Sequence, residues 1–482
     1  MSKHITIVDL NNFSFYPTQP IGIISSLLRN AGFQVSLISP LNTDVVSKPR
    51  EGQEGKKDYW MSRLLTSEKT MVRKGLDGAM KIPYLYDSFY NKRKIFDHVK
   101  AQLNAKTDIV LVSSYFQNYN VCEKLGRYLK ALEIPLVVGG PGFNDMSKMS
   151  SWLSLEGVTA IVATEAETFV VNLVNDVLAN KPVSHYPGVY QSGKEPIPSD
   201  FILTDLDQIP IPDYSDFPWE KYPERVIPYT TARGCSWSKC DFCSDVKYVN
   251  GRTFRSFSID RIISELGSLS EKHQTNLIAF TDLKLNSNVE VWNGLIERLP
   301  TTMDNPQWTC SVHVDTRTKN GLDLATLKKA RAAGLCRISF GLESGSQRLL
   351  DFMNKGTEVN RLQQFIRDVC EAGISLRTTM FVGYPYETVE DLQKTQTFLE
   401  ANFQYFDRIK LNRFHLNEMS PIYDRIQTEL DSKQNDFRGK KPYKMVPRGK
   451  GYNQMRHRIL KTVNQINAQP LKQYASVFEG IM

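Results

Sequence analysis

Cysteine is scarce in this chain: seven in 482 residues, too few for a disulfide scaffold and, being odd, not fully pairable within the chain. Long apolar runs are missing as well. Nothing approaches the roughly 18–20 continuous apolar residues that a membrane-crossing helix requires. Met1 to Leu10 lacks a positively charged region followed by an apolar stretch and a cleavage site. A reducing, cytoplasmic setting with no membrane partner is therefore expected. The absence of any fixed-period repeat excludes a solenoid or propeller. Neither sign of charge dominates: 60 Lys and Arg against 52 Asp and Glu leave +8, too mild an excess to call for a nucleic-acid partner. What remains is an ordinary globular composition, 41% hydrophobic and 23% charged. At about 100–200 residues per domain, the length allows more than one domain.

From residue 1 to 195, short apolar runs alternate with amphipathic stretches. Ile5–Val8 reads as a buried strand, and Ile21–Ala31 as a helix with Ile23, Ile24, Leu27 and Leu28 on one face. Strand-like runs recur at 34–38, 108–113, 134–138 and 158–163, with helices over 122–132 and 168–178. The alternation predicts an α/β domain, a doubly wound Rossmann-like parallel sheet. Residues 42–106 interrupt it as an expected helical insertion, and proline-containing segments mark 196–225 as a linker. From 226 to 415 a second alternation begins, with strands expected at 227–231, 277–281, 308–314, 337–341, 375–382 and 408–411. Most lead into a helix, which predicts a partial (β/α)6 TIM-type barrel with its active site at the C-terminal strand ends. Thr388–Asp391 reads as a capping box for the helix that follows. Residues 416–482 form an expected, mainly helical C-terminal extension. Its basic side chains, from Lys433 to Arg458, suit a solvated surface or a substrate-binding lid.

Three of the seven cysteines, Cys235, Cys240 and Cys243, fall within nine residues, directly after the first strand of the second alternation. Soft thiolates on one short loop can converge on a zinc ion, copper(I) or an iron–sulfur cluster. Structural zinc takes four protein ligands. Cys310 and His313 lie some seventy residues further along on another expected strand, so a zinc loop completed from afar stays open beside a cluster that leaves one iron free. Cys122, Cys336 and Cys370 sit in apolar contexts and read as core residues.

A cysteine triad after the first strand of a partial barrel resembles the signature of radical S-adenosylmethionine (radical SAM) enzymes. The spacing departs from that family's usual three and two intervening residues by one extra residue in the first gap. Other segments are similar too. Phe242 stands at the family's adenine-contacting aromatic position, Gly341–Ser346 looks like the fourth-strand motif, and Phe381–Thr388 like the fifth-strand Gly-Pro-Glu-Thr signature. The resemblance implies a [4Fe-4S] cluster on Cys235, Cys240 and Cys243, with SAM contacts from Phe242, Thr281, Asp282, Glu343, Ser344, Arg377 and Gly383. Independently of the resemblance, Glu343 is a carboxylate at a strand end, within reach of an ammonium or ribose, or else one half of an ion pair. Arg377 suits a carboxylate bidentately, or a barrel-wall salt bridge.

In the first alternation, Ser113-Ser114-Tyr115 and Gly139-Gly140-Pro141 stand at strand ends and Glu165 at a helix start. This set resembles the cobalamin-binding domain that precedes the barrel in one class of radical SAM enzymes, and implies that these residues approach the corrin. Asp9-Leu10-Asn11-Asn12-Phe13 holds no His, so no cobalt ligand is expected from that loop. The whole resembles a cobalamin-dependent radical SAM enzyme. This implies a C-methyltransferase that uses SAM, the [4Fe-4S] cluster and methylcobalamin on a peptide or small-molecule natural product. A flavodoxin or ferredoxin is the implied electron donor. Two alternatives are a radical SAM enzyme catalysing a rearrangement, oxidation or cyclisation, and a non-catalytic protein binding zinc and cobalamin.

Overall fold

The computed structural model describes residues 2–10, 15–43, 53–67, 75, 91–103, 105–140, 143, 146–194, 197, 202–317, 319–432, 449–479 and 481. The chain divides into two compact units, Met1–Lys48 with Met80–Pro228, and Pro49–Ala79 with Tyr229–Met482.

The first unit is built on β1 (His4–Asp9), β2 (Gln34–Ile38), β3 (Thr107–Ser113), β4 (Leu136–Gly139), β5 (Val158–Val162) and β6 (Val189–Tyr190), in the order β2-β1-β3-β4-β5-β6. The first five run parallel and β6 is antiparallel on the edge. The continuous apolar runs are explained by burial: Ile5, Val8, Ile109 and Val110 lose essentially all exposure. Helices Tyr119–Ala131 and Met146–Leu153 add Val121, Leu125, Leu129, Met149 and Trp152 to one core with Val110, Val112 and Val138. The order reverses between β1 and β3, the kind of switch point beside which doubly wound sheets bind ligands.

The segment expected as a linker is instead packed down in this unit. Tyr214 is buried against Gly22, where a Cβ would stand 2.8 Å from its ring, and its hydroxyl donates to the Pro228 carbonyl at 2.9 Å. Arg29 pairs with Asp213 and Asp216. Prolines broke the period here without freeing the chain.

The second unit contains β7 (Val226–Tyr229), which crosses the boundary, then β8 (Ala232–Arg233), β9 (Arg255–Ser256), β10 (Leu277–Phe280), β11 (Gln307–Val312), β12 (Leu335–Glu343), β13 (Ser375–Val382) and β14 (Arg408–Arg413). Six of these form the sheet β14-β13-β12-β11-β10-β7, the expected strands in sequential order, with β10 to β14 parallel. β8 and β9 form a separate antiparallel ribbon. Helices Ile259–His273, Val289–Thr302, Leu324–Ala332 and Val389–Ala401 start on side-chain caps from Ser258, Asn288, Asp323 and Thr388, the last closing the expected capping box with Asp391.

Part of the expected insertion belongs to this unit. The Glu54 carboxylate accepts from the side-chain amides of Asn464 (3.0 Å) and Asn467 (2.9 Å) on helix Lys450–Asn467. Asn467 also pairs with both backbone groups of Ile409 at 2.8 Å, continuing the bonding of edge strand β14. At the opposite end of the strands from the cysteines, three buried arginines donate to the C-terminal segment: Arg337 to Phe478 O (2.8 Å) and Ala475 O (2.9 Å), Arg377 to Ile481 O (3.0 Å), and Arg408 to Gln469 O (2.8 Å). Of the basic tail, 433–448 lies outside the described residues. Arg456 is buried, so the solvated-surface expectation fails for it. Among the described residues, no helix is long and apolar enough to cross a membrane.

Candidate functional site

The β8–β9 ribbon closes the base of a loop that carries all three clustered cysteines. Asp282, just past β10, fixes that base. Its carboxylate accepts from the Thr231 N–H (3.0 Å) and hydroxyl (2.8 Å) and from the Ala232 N–H (2.8 Å). Burial lifts this acid to about 6, against those bonds. Thr281 shares a hydroxyl hydrogen bond with Thr230 at 2.6 Å. Both residues were expected to touch SAM. Their polar groups are instead taken up in fastening two strand ends together, because a buried strand end leaves N–H groups that the nearest acceptor must satisfy.

Within the loop, the Cys235 N–H donates to Gly251 O at 2.8 Å, and the Ser238 hydroxyl to Cys235 O and Arg252 O. Asp241 ties the far side down. Its N–H donates to Met353 O (2.9 Å), its carbonyl accepts from Ile422 N–H (2.8 Å), and its carboxylate takes Asn354 Nδ2 (2.7 Å) and Arg425 (3.2 Å). Trp237 donates to Asn354 O at 2.7 Å and lies flush on Gly356, whose φ of +65° suits glycine and where a Cβ would come within 2.1 Å of the indole. The cysteine loop is thus seated on residues 353–356, which sequence reading passed over. The Asn-Lys-Gly run there is a turn signal, the one cue available.

All three thiols are partly exposed. Burial pushes Cys243 up to about 12, reinforced by Asp245, whose carboxylate stands 3.7 Å from its Sγ. Burial also raises Cys240, while the charges of Lys355 and Lys284 work the other way. Cys243 feels the charges of Cys240 and Cys235, and Cys240 that of Cys235. Among the described residues, no three His, Cys, Asp or Glu side chains stand close enough together to hold a single metal ion.

Glu343 ends β12 at a φ of +56°, in the sparsely populated left-handed region, where the strand slips register against β13. Its carboxylate is buried and pairs with the equally buried Lys355 at 3.0 Å. Burial opposes the Lys355 charge, but Glu343 and Cys240 more than offset it and hold the ammonium above its ordinary pKa. The same Nζ stands 5.4 Å from the centre of the Phe242 ring, which meets Phe381 edge-on at 5.3 Å. His313 donates its Nε2–H to Lys355 O at 3.0 Å, and the Thr357 hydroxyl lies 3.4 Å from the same nitrogen. Burial and the charges of Lys355 and Lys284 drive it down to about 2, so it is neutral.

The structure therefore brings Phe242, on the loop of Cys235, Cys240 and Cys243, together with Glu343 and adds Lys355 and His313. Ser344 turns away, its hydroxyl bonded to Thr395 at 3.0 Å. Arg377 is corrected outright: it sits near the start of β13 and serves the C-terminal segment, since a long cation on a buried strand reaches the nearest carbonyls. Gly383 gives its N–H to Glu387 at 2.7 Å, and Glu387 also accepts from the Tyr452 hydroxyl at 2.5 Å.

Burial raises Glu387 to about 7, against both of those bonds. A buried acid whose folded pKa lies above its unfolded value adds full stability below about 4.5, and loses it as pH rises through about 7. The loss is on the order of 3 kcal/mol. Thermal unfolding of Glu387→Gln is expected to fall less between pH 5 and 8 than that of the wild type; equal slopes would refute this assignment.

In the first unit, Asp9, Ser113, Gly139 and Val162 stand side by side in register at one edge of the sheet. Ser113-Ser114, Gly139-Gly140 and Ala163-Thr164 make a shelf of short side chains, from which Tyr115 protrudes 42% exposed. Gly140, at φ +131°, lets this backbone pass the next, since a Cβ would meet Ser114 O at 2.3 Å. Glu165 accepts from the Leu203 N–H at 3.0 Å, a structural use. Pro141 lies outside the described residues, as do Asn11, Asn12 and Phe13.

Residues 229–399 match the Radical SAM superfamily profile. The chain is 27% identical over 270 residues to an uncharacterised methyltransferase of Pyrococcus horikoshii, covering 55% of this chain and 57% of that one. It is 30% identical over 269 residues to the anaerobic magnesium-protoporphyrin IX monomethyl ester cyclase of Cereibacter sphaeroides, covering 52% and 42%. It thus spans about half the length of the curated relatives it matches. The fold is that of the cobalamin-dependent S-adenosylmethionine radical enzyme OxsB (TM-score 0.65, 16% identity, 92% of this chain and 64% of that one). It is also that of the radical S-adenosylmethionine methyltransferase TsrM from Kitasatospora setae (TM-score 0.62, 16% identity, 89% and 78%).

Proposed function

Residues 229–399 being a Radical SAM superfamily domain, we propose that the chain is a cobalamin-dependent radical SAM enzyme that methylates an unactivated carbon of a peptide or small natural product. The observation that carries this is the pairing of the cysteine loop with a buried Glu343–Lys355 couple at the strand ends. Cys235, Cys240 and Cys243 are the residues that would hold a [4Fe-4S] cluster. The donor set fits: soft thiolates on one fixed loop, with cations behind them. A cuboidal four-iron core is wider than one ion and does not require the three sulfurs to meet at a point.

When bound, cluster and SAM supply a one-electron reductant and a 5′-deoxyadenosyl radical source, and methylcobalamin supplies the methyl group. The chain's residues do the positioning. Glu343 and Lys355 form an ion pair of the size and polarity of an amino acid zwitterion. Each can exchange its partner for the opposite charge of the SAM methionine end, the carboxylate for the ammonium and the ammonium for the carboxylate. Phe242, held edge-on by Phe381, offers its backbone to the adenine. Glu387 fixes the Gly383 amide in the turn beside the site. The short-side-chain shelf of the first unit suits a flat corrin face. OxsB was solved with aqua-cobalamin, and TsrM with cobalamin, a [4Fe-4S] cluster and, separately, tryptophan, which supports this assignment and a small substrate. The electron donor would be a small carrier such as a flavodoxin or ferredoxin.

Likeness to a cyclase favours one second reading, radical chemistry without methyl transfer. Anaerobic incubation of the corrinoid-loaded protein with SAM, reductant and candidate substrates separates the two. S-adenosylhomocysteine formed together with 5′-deoxyadenosine is the expected result. Deoxyadenosine alone, at full corrinoid loading, would leave the cyclase-like reading.

A further inference from the structure

His313 directly follows β11 and is buried, with the Trp237 ring of the cysteine loop 6.1 Å from its own. The buried Asn286 side chain takes both of its backbone groups: Oδ1 accepts from the His313 N–H at 3.0 Å, and Nδ2 donates to the His313 carbonyl at 3.0 Å. The imidazole is thereby fixed from behind, and its two nitrogens are used unequally. Nε2 faces Lys355 O at 3.0 Å, a group that can only accept, so Nε2 carries the proton and Nδ1 is a lone pair. Nδ1 meets no hydrogen-bond donor among the described residues, and Asp315, 3.9 Å away, is itself an acceptor. A buried acceptor left bare costs free energy. What the ring gives in return is its bond to Lys355. The Thr357 hydroxyl, 3.4 Å from the same nitrogen, is too distant to compete.

Lys355 depends on such a bond. It sits in a turn between two residues in the left-handed region, Asn354 at φ +51° and Gly356 at φ +65°, and no strand ladder holds it there. Three bonds fix it instead: its N–H donates to Leu350 O at 3.0 Å, its carbonyl accepts from His313, and its ammonium pairs with Glu343 at 3.0 Å. When Glu343 exchanges its partner, the third bond is lost. The two main-chain bonds then keep the ammonium in place.

We infer that His313 is a positioning residue for SAM: by holding the Lys355 carbonyl, it keeps the Lys355 ammonium where the SAM carboxylate would meet it. This rests on the SAM contacts proposed above for Glu343 and Lys355. No proton is transferred in this role. The ring acts as a fixed donor, and Asn286, His313, Lys355 and Glu343 form one chain of contacts from the end of β11 to the end of β12.

The test is the dissociation constant for SAM, measured by anaerobic equilibrium dialysis on the full chain reconstituted with iron and sulfide, for wild type, His313→Leu and His313→Gln. Leucine keeps the bulk and removes the donor. The Lys355 carbonyl can then turn away and carry the ammonium with it, so SAM binding is expected to weaken about tenfold, the scale of re-ordering one long side chain on binding. Glutamine returns an N–H near the place of Nε2 and should recover most of the loss. Iron and sulfide content should match wild type in both variants. The unfolding temperature of His313→Leu should stay close to wild type, since removing the bare Nδ1 offsets the lost bond. Unchanged affinity at equal cluster content would overturn the inference and leave the proposed function standing, as would a loss that glutamine does not recover. A His313→Leu chain that no longer folds would make the histidine a structural residue and refute the role assigned to it. A wild type that takes up iron and sulfide and binds no SAM would overturn both the inference and the proposed function.

Discussion

Replacing Cys240 with alanine is expected to leave a folded chain that retains no iron–sulfur cluster and cleaves no SAM. The thiol makes no contact on which the loop depends. The loop is held by Cys235 N–H on Gly251, Ser238 on Cys235 and Arg252, Asp241 on Met353, Asn354 and Ile422, and Trp237 on Gly356. Far-ultraviolet circular dichroism and the unfolding temperature should therefore match wild type. Anaerobically reconstituted wild type should carry about four irons and as many sulfides per chain, and the variant close to none. Production of 5′-deoxyadenosine should fall below detection. A zinc ion in the wild type with no sulfide would end the radical proposal altogether. A variant with full iron and activity would show that Cys240 is not a ligand.

The second large effect is expected at the other end of the strands. Removing residues 469–482 takes the Ala475, Phe478, Ile481 and Gln469 carbonyls from Arg337, Arg377 and Arg408, three guanidiniums buried on adjacent strands. A hydrogen bond to a charged group contributes roughly 1.5–3 kcal/mol. Four such losses are comparable to the whole stability of an ordinary domain, about 5–15 kcal/mol. The shortened chain should lose its cooperative thermal transition and become insoluble. Methionine at all three positions, which removes the charge and keeps most of the volume, should restore part of the transition in the shortened chain. An unchanged unfolding temperature after truncation would show that the carbonyls contribute nothing.

Those arginines also mark where sequence reading stopped. Strands β1 to β5 and β10 to β14 were legible because buried parallel strands write continuous apolar runs, and their helices write a 3.6-residue period. The cysteine loop was legible because three thiols at short spacing are chemically unusual. Arg377 was misplaced because its position along the strand, third from the start of β13, matters more than its charge. Thr281, Asp282 and Ser344 were read as ligand contacts because strand ends on such folds are where ligands bind, yet the same ends need polar groups to join one strand to the next. Lys355 was missed because nothing local distinguishes a lysine that will be buried; only the fold pairs it with Glu343. The β8–β9 ribbon was invisible because two-residue strands carry no period, and the packed 202–225 segment because proline interrupts a pattern whether or not the chain is fixed.

The bonds that seat the cysteine loop on residues 353–356 have a consequence for how the centre is assembled. In small metal-folded modules the ion itself must organise the chain, so affinity is spent on ordering. Here Asp241, Trp237 and Gly356 give the loop its shape through contacts between protein groups, and that entropy is already lost when the chain folds. For the proposed cluster, uptake of iron and sulfide would then proceed as docking into a ready frame. It should be reversible by chelation and reloading without a refolding step, and an oxygen-damaged centre would be replaceable in a chain that is otherwise intact.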